Sequence, residues 1–228
     1  MMHQEFNVRV LKPVEVYKEA WEMIKDQFGL VLAVTVVGML IGGAVPIVLI
    51  GPMMCGIYLV LLQKYQGVPV DFSQLFKGFD YFLPSLILSV IIMVPVFILI
   101  FAMYIPLIVM TMAAPRMNEA ELVATIVGIL AVELVFAVIM VCLHTLLLFS
   151  FPLIVDKRMS AIQSIKTSAR AVWANLGGVV GLFGVGILVA IVGYLMLCIG
   201  IYLVLPLIIA ANVVAYRKIF PGATLPLA

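Results

Sequence analysis

Glu133 is an acidic residue set deep inside an apolar run, between Ala131-Val132 and Leu134-Val135. A charged side chain at the centre of a bilayer costs about 2.5–3.5 kcal/mol on insertion scales, so a residue placed there must face protein or water. Two chemistries fit it: a carboxylate that binds a proton, a cation or a partner, or a neutral carboxyl that hydrogen-bonds a neighbouring helix. His144 follows eleven residues later on the same predicted helix and returns to nearly the same face. At helical rise the two stand about 16 Å apart along the axis. That distance excludes a shared proton or metal ion. It leaves either a polar track down one face or a structural hydrogen bond for His144, with Asn212 at similar depth as its partner.

The remaining chemistry-bearing residues are few. Cys55, Cys142 and Cys198 lie inside apolar runs with no CxxC spacing, and read as buried thiols behaving as small hydrophobes. No P-loop, GxGxxG or GxSxG motif and no metal-ligand cluster is present, so no cofactor and no metal is expected. Asp156, Lys157 and Arg158 read as a solvated cluster at a membrane boundary, within reach of a lipid headgroup. The fourteen methionines are scattered apolar filler.

Positioning these residues takes a solvent other than water. Of 228 residues 66% are hydrophobic and 11% charged, and the mean hydropathy is +1.31. A soluble domain carries about 25% charged residues. The expected fold is therefore all-α: a polytopic transmembrane helical bundle. A net charge of +2 without basic runs gives no support for nucleic acid. The first 27 residues are mixed in charge and lack the apolar core of a secretory signal, so the first hydrophobic span is expected to serve as the insertion signal.

A span needs about 20 apolar residues. Six fit the sequence, over 28–44, 47–65, 83–110, 122–150, 177–195 and 199–217. Gly42, Gly43 and Pro46 mark the first tight turn, and Pro95, Pro106 and Pro152 are kink points. Charge gives an independent test. With the N-terminus inside, Arg9, Lys12, Lys18, Lys25, Lys64, Lys77, Lys157, Arg158, Lys166, Arg170, Arg217 and Lys218 fall on the cytoplasmic side, against Arg116 outside. That bias predicts six spans with both termini cytoplasmic.

Amphipathic interfacial helices are predicted over 13–27, 71–82 and 157–176, on the cytoplasmic side. The first has its apolar stripe at Val14, Tyr17, Trp21, Ile24 and Phe28, the third at Ile162, Ile165, Ala169, Val172 and Leu176. Trp21 and Trp173 are candidate interface anchors. In the short segment Asp71 is placed to cap, with Phe72, Leu75, Phe76 and Phe79 toward lipid. A shift of 148 residues lays the first stripe on the third, with Lys18 on Lys166, Gly29 on Gly177 and Gly38 on Gly186. Six inserted residues later, Pro52 falls on Pro206 and Lys64 on Lys218. The pattern predicts a parallel internal repeat, with residues 71–151 as a diverged middle copy. Gly38 and Gly42, and Gly177, Gly181 and Gly184, form small-residue stripes for helix packing, within the chain or between copies.

Three groups of short motifs carry a family resemblance. The first is Gly51-Pro52 with Gly56, Tyr65, Gly67, Asp71 and Leu75-Phe76-Lys77-Gly78-Phe79. The second is Phe151-Pro152-Leu153-Ile154-Val155-Asp156 with Ala161, Ser164 and Ser168, and the third Cys198-Ile199-Gly200, Pro206 and Ala215-Tyr216-Arg217. Together they resemble uncharacterised bacterial six-span membrane proteins related to the membrane domain of glycerophosphodiester phosphodiesterases. The resemblance implies that architecture and the bacterial cytoplasmic (inner) membrane; this sequence has no hydrolase domain, so the resemblance carries over no catalytic residues. The expected function is that of a non-enzymatic membrane module acting through membrane lipids, a membrane-protein complex or a homo-oligomer. The alternative is a small permease component with Glu133 in its pathway.

Overall fold

The computed structural model describes residues 6–8, 11–196 and 199–221. Arg9 of the basic set and the Cys198 thiol lie outside the described residues. Among those described the chain is all-α: α1 Pro13–Ile24, α2 Phe28–Ala44, α3 Pro46–Tyr65, α4 Phe82–Ala113, α5 Glu119–Leu146, α6 Ser150–Lys157, α7 Ala161–Ala174, α8 Leu176–Leu195 and α9 Ile199–Ile219. Among the described residues, six helical segments are long and apolar enough to cross a membrane.

Local chemistry sets the boundaries. The chain runs helical through Gly42 and Gly43 and breaks at Val45, whose backbone leaves the helical region, with Pro46 opening α3. Proline forces the residue before it out of the helical region and is itself well placed at a first helical position. α5 starts on a reciprocal cap: Asn118 Oδ1 accepts from the Glu121 amide and Glu121 Oε2 from the Asn118 amide. Ser160 and Gln163 cap α7 in the same way.

The chain divides into two units, one of residues 1–89 and 146–228, the other of residues 90–145. The larger unit has α3 and α9 as its core, each about 61% buried over its most apolar stretch. Met53, Ile57, Leu61 and Leu62 of α3, and Ala210, Ala211, Val213 and Val214 of α9, are buried. α2 packs on α3, α8 on α9, and α1 on α9 and α8.

The segment Phe72–Tyr81 is a 3-10 helix, its start held by Asp71, whose carboxylate accepts from the Ser73 amide at 2.9 Å. That winding corrects the expected orientation of Leu75. A 3-10 helix has three residues per turn, so Leu75, Gly78 and Tyr81 share one face, and all three are buried while Phe76 and Phe79 stay exposed. Two glycines allow the contact. A Cβ on Gly56 would collide with the Leu75 carbonyl, and one on Gly78 with the Pro52 carbonyl.

Residues 90–145 form a helical hairpin through the 3-10 turn Ala114–Arg116. Of its side chains only Met140 and Thr145 are buried. Cys142, expected as a buried thiol, is exposed here, while Cys55 in α3 is buried.

Candidate functional site

Two polar constellations lie inside the larger unit. The first is built on Asn212, from α9. Its Nδ2 donates to the Tyr58 hydroxyl at 2.8 Å and to the Leu148 carbonyl at 3.1 Å. His144, its expected partner, instead uses Nδ1 on the Met140 carbonyl of its own helix, at 2.9 Å.

Tyr58 and Asn212 line a cavity of about 240 Å³, and the third polar side chain there is Tyr17 of α1. All three are nearly buried, at 4%, 8% and 8% exposure. The rest of the lining is aliphatic and aromatic, from α8, α9 and Leu148, with no charged side chain. The Oδ1 of Asn212 is buried without a hydrogen-bond partner, a state that costs about 1–3 kcal/mol of desolvation.

The second constellation overturns the reading of Asp156 as solvated. Its side chain is fully buried. Arg217 reaches it with both terminal nitrogens, Nη2 to Oδ1 at 2.9 Å and Nη1 to Oδ2 at 3.2 Å, and the Tyr216 hydroxyl donates to Oδ2 at 2.7 Å. Nη1 and the Tyr216 hydroxyl thus make charge-assisted hydrogen bonds to one carboxylate oxygen, with Nη2 at ion-pair distance from the other. Lys157 and Arg158 beside it lie over the rings of Phe220 and Tyr81. Sequence spacing could not find the pair, because its partners stand 61 residues apart. The signal was nonetheless present: Asp156 ends the Phe151–Asp156 run of the second motif group, and Tyr216-Arg217 closes the third.

Small polar residues also serve backbone. Ser168 of α7 donates to the Leu146 carbonyl at 2.7 Å and accepts from the Phe149 amide at 3.1 Å, bridging the break between α5 and α6. The buried face of α7 is therefore Ala161, Ser164, Thr167, Ser168, Ala171 and Val172. Ile162 and Trp173 look outward, as do Val14 and Trp21 on α1.

The predicted glycines separate. Gly38 meets Ile57 and Leu75, Gly42 meets Ile50, and Gly181 meets Pro13, whereas Gly177 and Gly184 face open space. Gly51, Gly56 and Gly78 make the tighter backbone approaches. Glu133 sits half-buried on α5 with no hydrogen bond or ion pair among the described residues. The described residues contain no cluster of three or more metal-ligating side chains. No protein-family model, curated protein or solved structure matches the chain.

Proposed function

We propose that this chain is a six-span membrane module without enzymatic activity, which acts by holding a partner in the bilayer through the hairpin that carries Glu133. The hairpin is the observation behind this reading. Its two helices are the most apolar of the chain, with 11% and 6% of their most apolar stretches buried. A carboxyl in such a helix has to find a polar neighbour, and Glu133 has none within the described residues. A second protein chain would supply both the missing apolar cover and the missing hydrogen bond.

The proposed setting is a bacterial inner membrane with both termini cytoplasmic, in line with the family resemblance and the charge bias. The exposed Lys77 and Lys166 would stand on one face and Arg116 on the other. A parallel repeat agrees with the helix bounds: a shift of 148 carries α1 and α2 onto α7 and α8, and a shift of 154 carries α3 onto α9. It also agrees with burial, since Val16, Ala20 and Ile24 fall on Ser164, Ser168 and Val172, all buried. Lys64 and Lys218, equivalent under the second shift, each pair with an acid near α1, Asp26 at 2.6 Å and Glu19 at 2.7 Å. The amphipathic elements follow one rule. The Phe72–Tyr81 segment packs on α3, α7 on α6 and α1 on α9, so each sits on another helix of the larger unit.

The permease alternative has less to draw on. A groove between α4 and α5 is lined by Ala102, Pro106, Thr125, Gly128, Ile129 and Val132, and only Thr125 among these offers a polar side chain to a solute. Purification in mild detergent tests the proposal. The wild-type chain is expected to migrate with a bound protein, and Glu133→Leu to release it while keeping its own thermal stability. A partner-free monomer from both would overturn it.

A further inference from the structure

We infer that the cavity between α1, α3, α8 and α9 binds the oxygen-bearing end of an uncharged long-chain lipid through the hydroxyls of Tyr17 and Tyr58. Both phenols have a proton to give. The Tyr58 hydroxyl already accepts from Asn212, which turns its own proton elsewhere, and no described acceptor takes it. Tyr17 makes no hydrogen bond among the described residues, and glycine at 186 leaves its hydroxyl room: a Cβ there would come within 2.8 Å of that oxygen. Two donors bordering one cavity call for an acceptor oxygen.

The charge of the ligand follows from the lining. No Lys, Arg or His borders the cavity, so a phosphate or carboxylate would lie there unpaired, at a cost that buried ions do not bear. A hydroxyl or ester oxygen meets no such penalty, and a hydroxyl could also donate to the uncommitted Asn212 Oδ1. The remaining walls, Leu182, Phe183, Ile187, Ala190 and Ile208, suit a hydrocarbon tail. Ile187, at 59% exposure, marks where the tail leaves toward the surface of the unit. A long-chain alcohol and a monoacylglycerol share this chemistry.

The inference rests on the bilayer placement proposed above. Its test uses the full chain in phosphatidylcholine vesicles, irradiated with diazirine-tailed probes: a long-chain alcohol, a monoacylglycerol, or the matched fatty acid at alkaline pH. Labelled peptides are mapped by mass spectrometry. Either neutral probe is expected to label 182–190 and 208–209 at least tenfold more than the acid, and the stronger of the two identifies the source. Tyr17→Phe and Tyr58→Phe should each lower labelling about threefold to tenfold, the equivalent of one net hydrogen bond. Ala190→Phe, which fills the cavity and removes no hydrogen bond, should abolish it. Equal labelling by the acid, unchanged labelling in Ala190→Phe, or no labelling of carbonate-washed protein would overturn the site. Release of the chain by the carbonate wash would instead overturn the bilayer placement.

Discussion

Residues 1–89 with 146–228, and residues 90–145, are both built on apolar helices, those of the second the more apolar, and they treat their side chains in opposite ways. In the larger unit α3 and α9 are covered by α1, α2, α8 and a 3-10 segment laid glycine to glycine on α3. In the hairpin the same residue types, Leu, Ile, Val and Phe, stay exposed along both helices. Side-chain apolarity alone therefore does not decide burial here. Backbone approach does. Gly51, Gly56 and Gly78 stand where a Cβ would strike another segment's backbone, whereas the hairpin's one glycine within its helices, Gly128, has nothing within 4 Å. Between helices in lipid, close packing of this kind replaces the hydrophobic drive that water would supply.

The largest effect separating the two units is expected at the buried ion pair. Asp156→Ala should destabilise the chain by about 3–5 kcal/mol, because it removes one member of a buried ion pair. Asp156→Leu combined with Arg217→Met should recover most of that loss. Thermal unfolding in detergent checks both, and a double variant no better than the single one would contradict the pairing. Next comes the glycine contact: Gly78→Ala is expected to cost about 1–3 kcal/mol through overpacking, while Gly128→Ala in the hairpin should stay within about 0.5 kcal/mol of wild type. Comparable losses at the two glycines would erase the contrast.

Ser160→Ala, which removes a helix cap, should cost about 1 kcal/mol, read in the same assay. The smallest effect concerns pH. Hydrogen bonds from Ser73, side chain and amide, hold the Asp71 carboxyl below its ordinary value. A lowered carboxyl favours the folded form above the unfolded value, about 3.9, and that contribution fades as pH falls through the folded one. Amide exchange at Ser73, corrected for intrinsic rates, should therefore rise relative to Leu75 in acid and stay level from neutral pH upward.

Six apolar segments, the break before Pro46 and the capping position of Asp71 were legible in the residues, because each depends on neighbours within a turn or on simple length. The inward turn of Leu75 was not. A period of 3.6 places it beside Phe72, Phe76 and Phe79, and only a period of three takes it to Gly78 and Tyr81. Asp156 beside Lys157 looks like any wet boundary cluster until Tyr216 and Arg217 arrive from the far end of the chain. The buried face of α7 was hidden for a related reason. Ser164 and Ser168 serve backbone groups, and hydropathy scores such residues as outward. Tyr58, framed by Ile57 and Leu59, gave no sign of the Asn212 contact.

Membrane threading is the claim on which the partner, lipid and repeat proposals all depend, and cysteine accessibility tests it most directly. In a background with Cys55, Cys142 and Cys198 replaced, single cysteines go at the exposed positions Lys77, Lys166 and Arg116. An impermeant maleimide added to intact cells is expected to reach Arg116→Cys alone, with Lys77→Cys and Lys166→Cys reacting only after the membrane is opened. Labelling that put positions 77 and 166 on different faces would contradict six crossings.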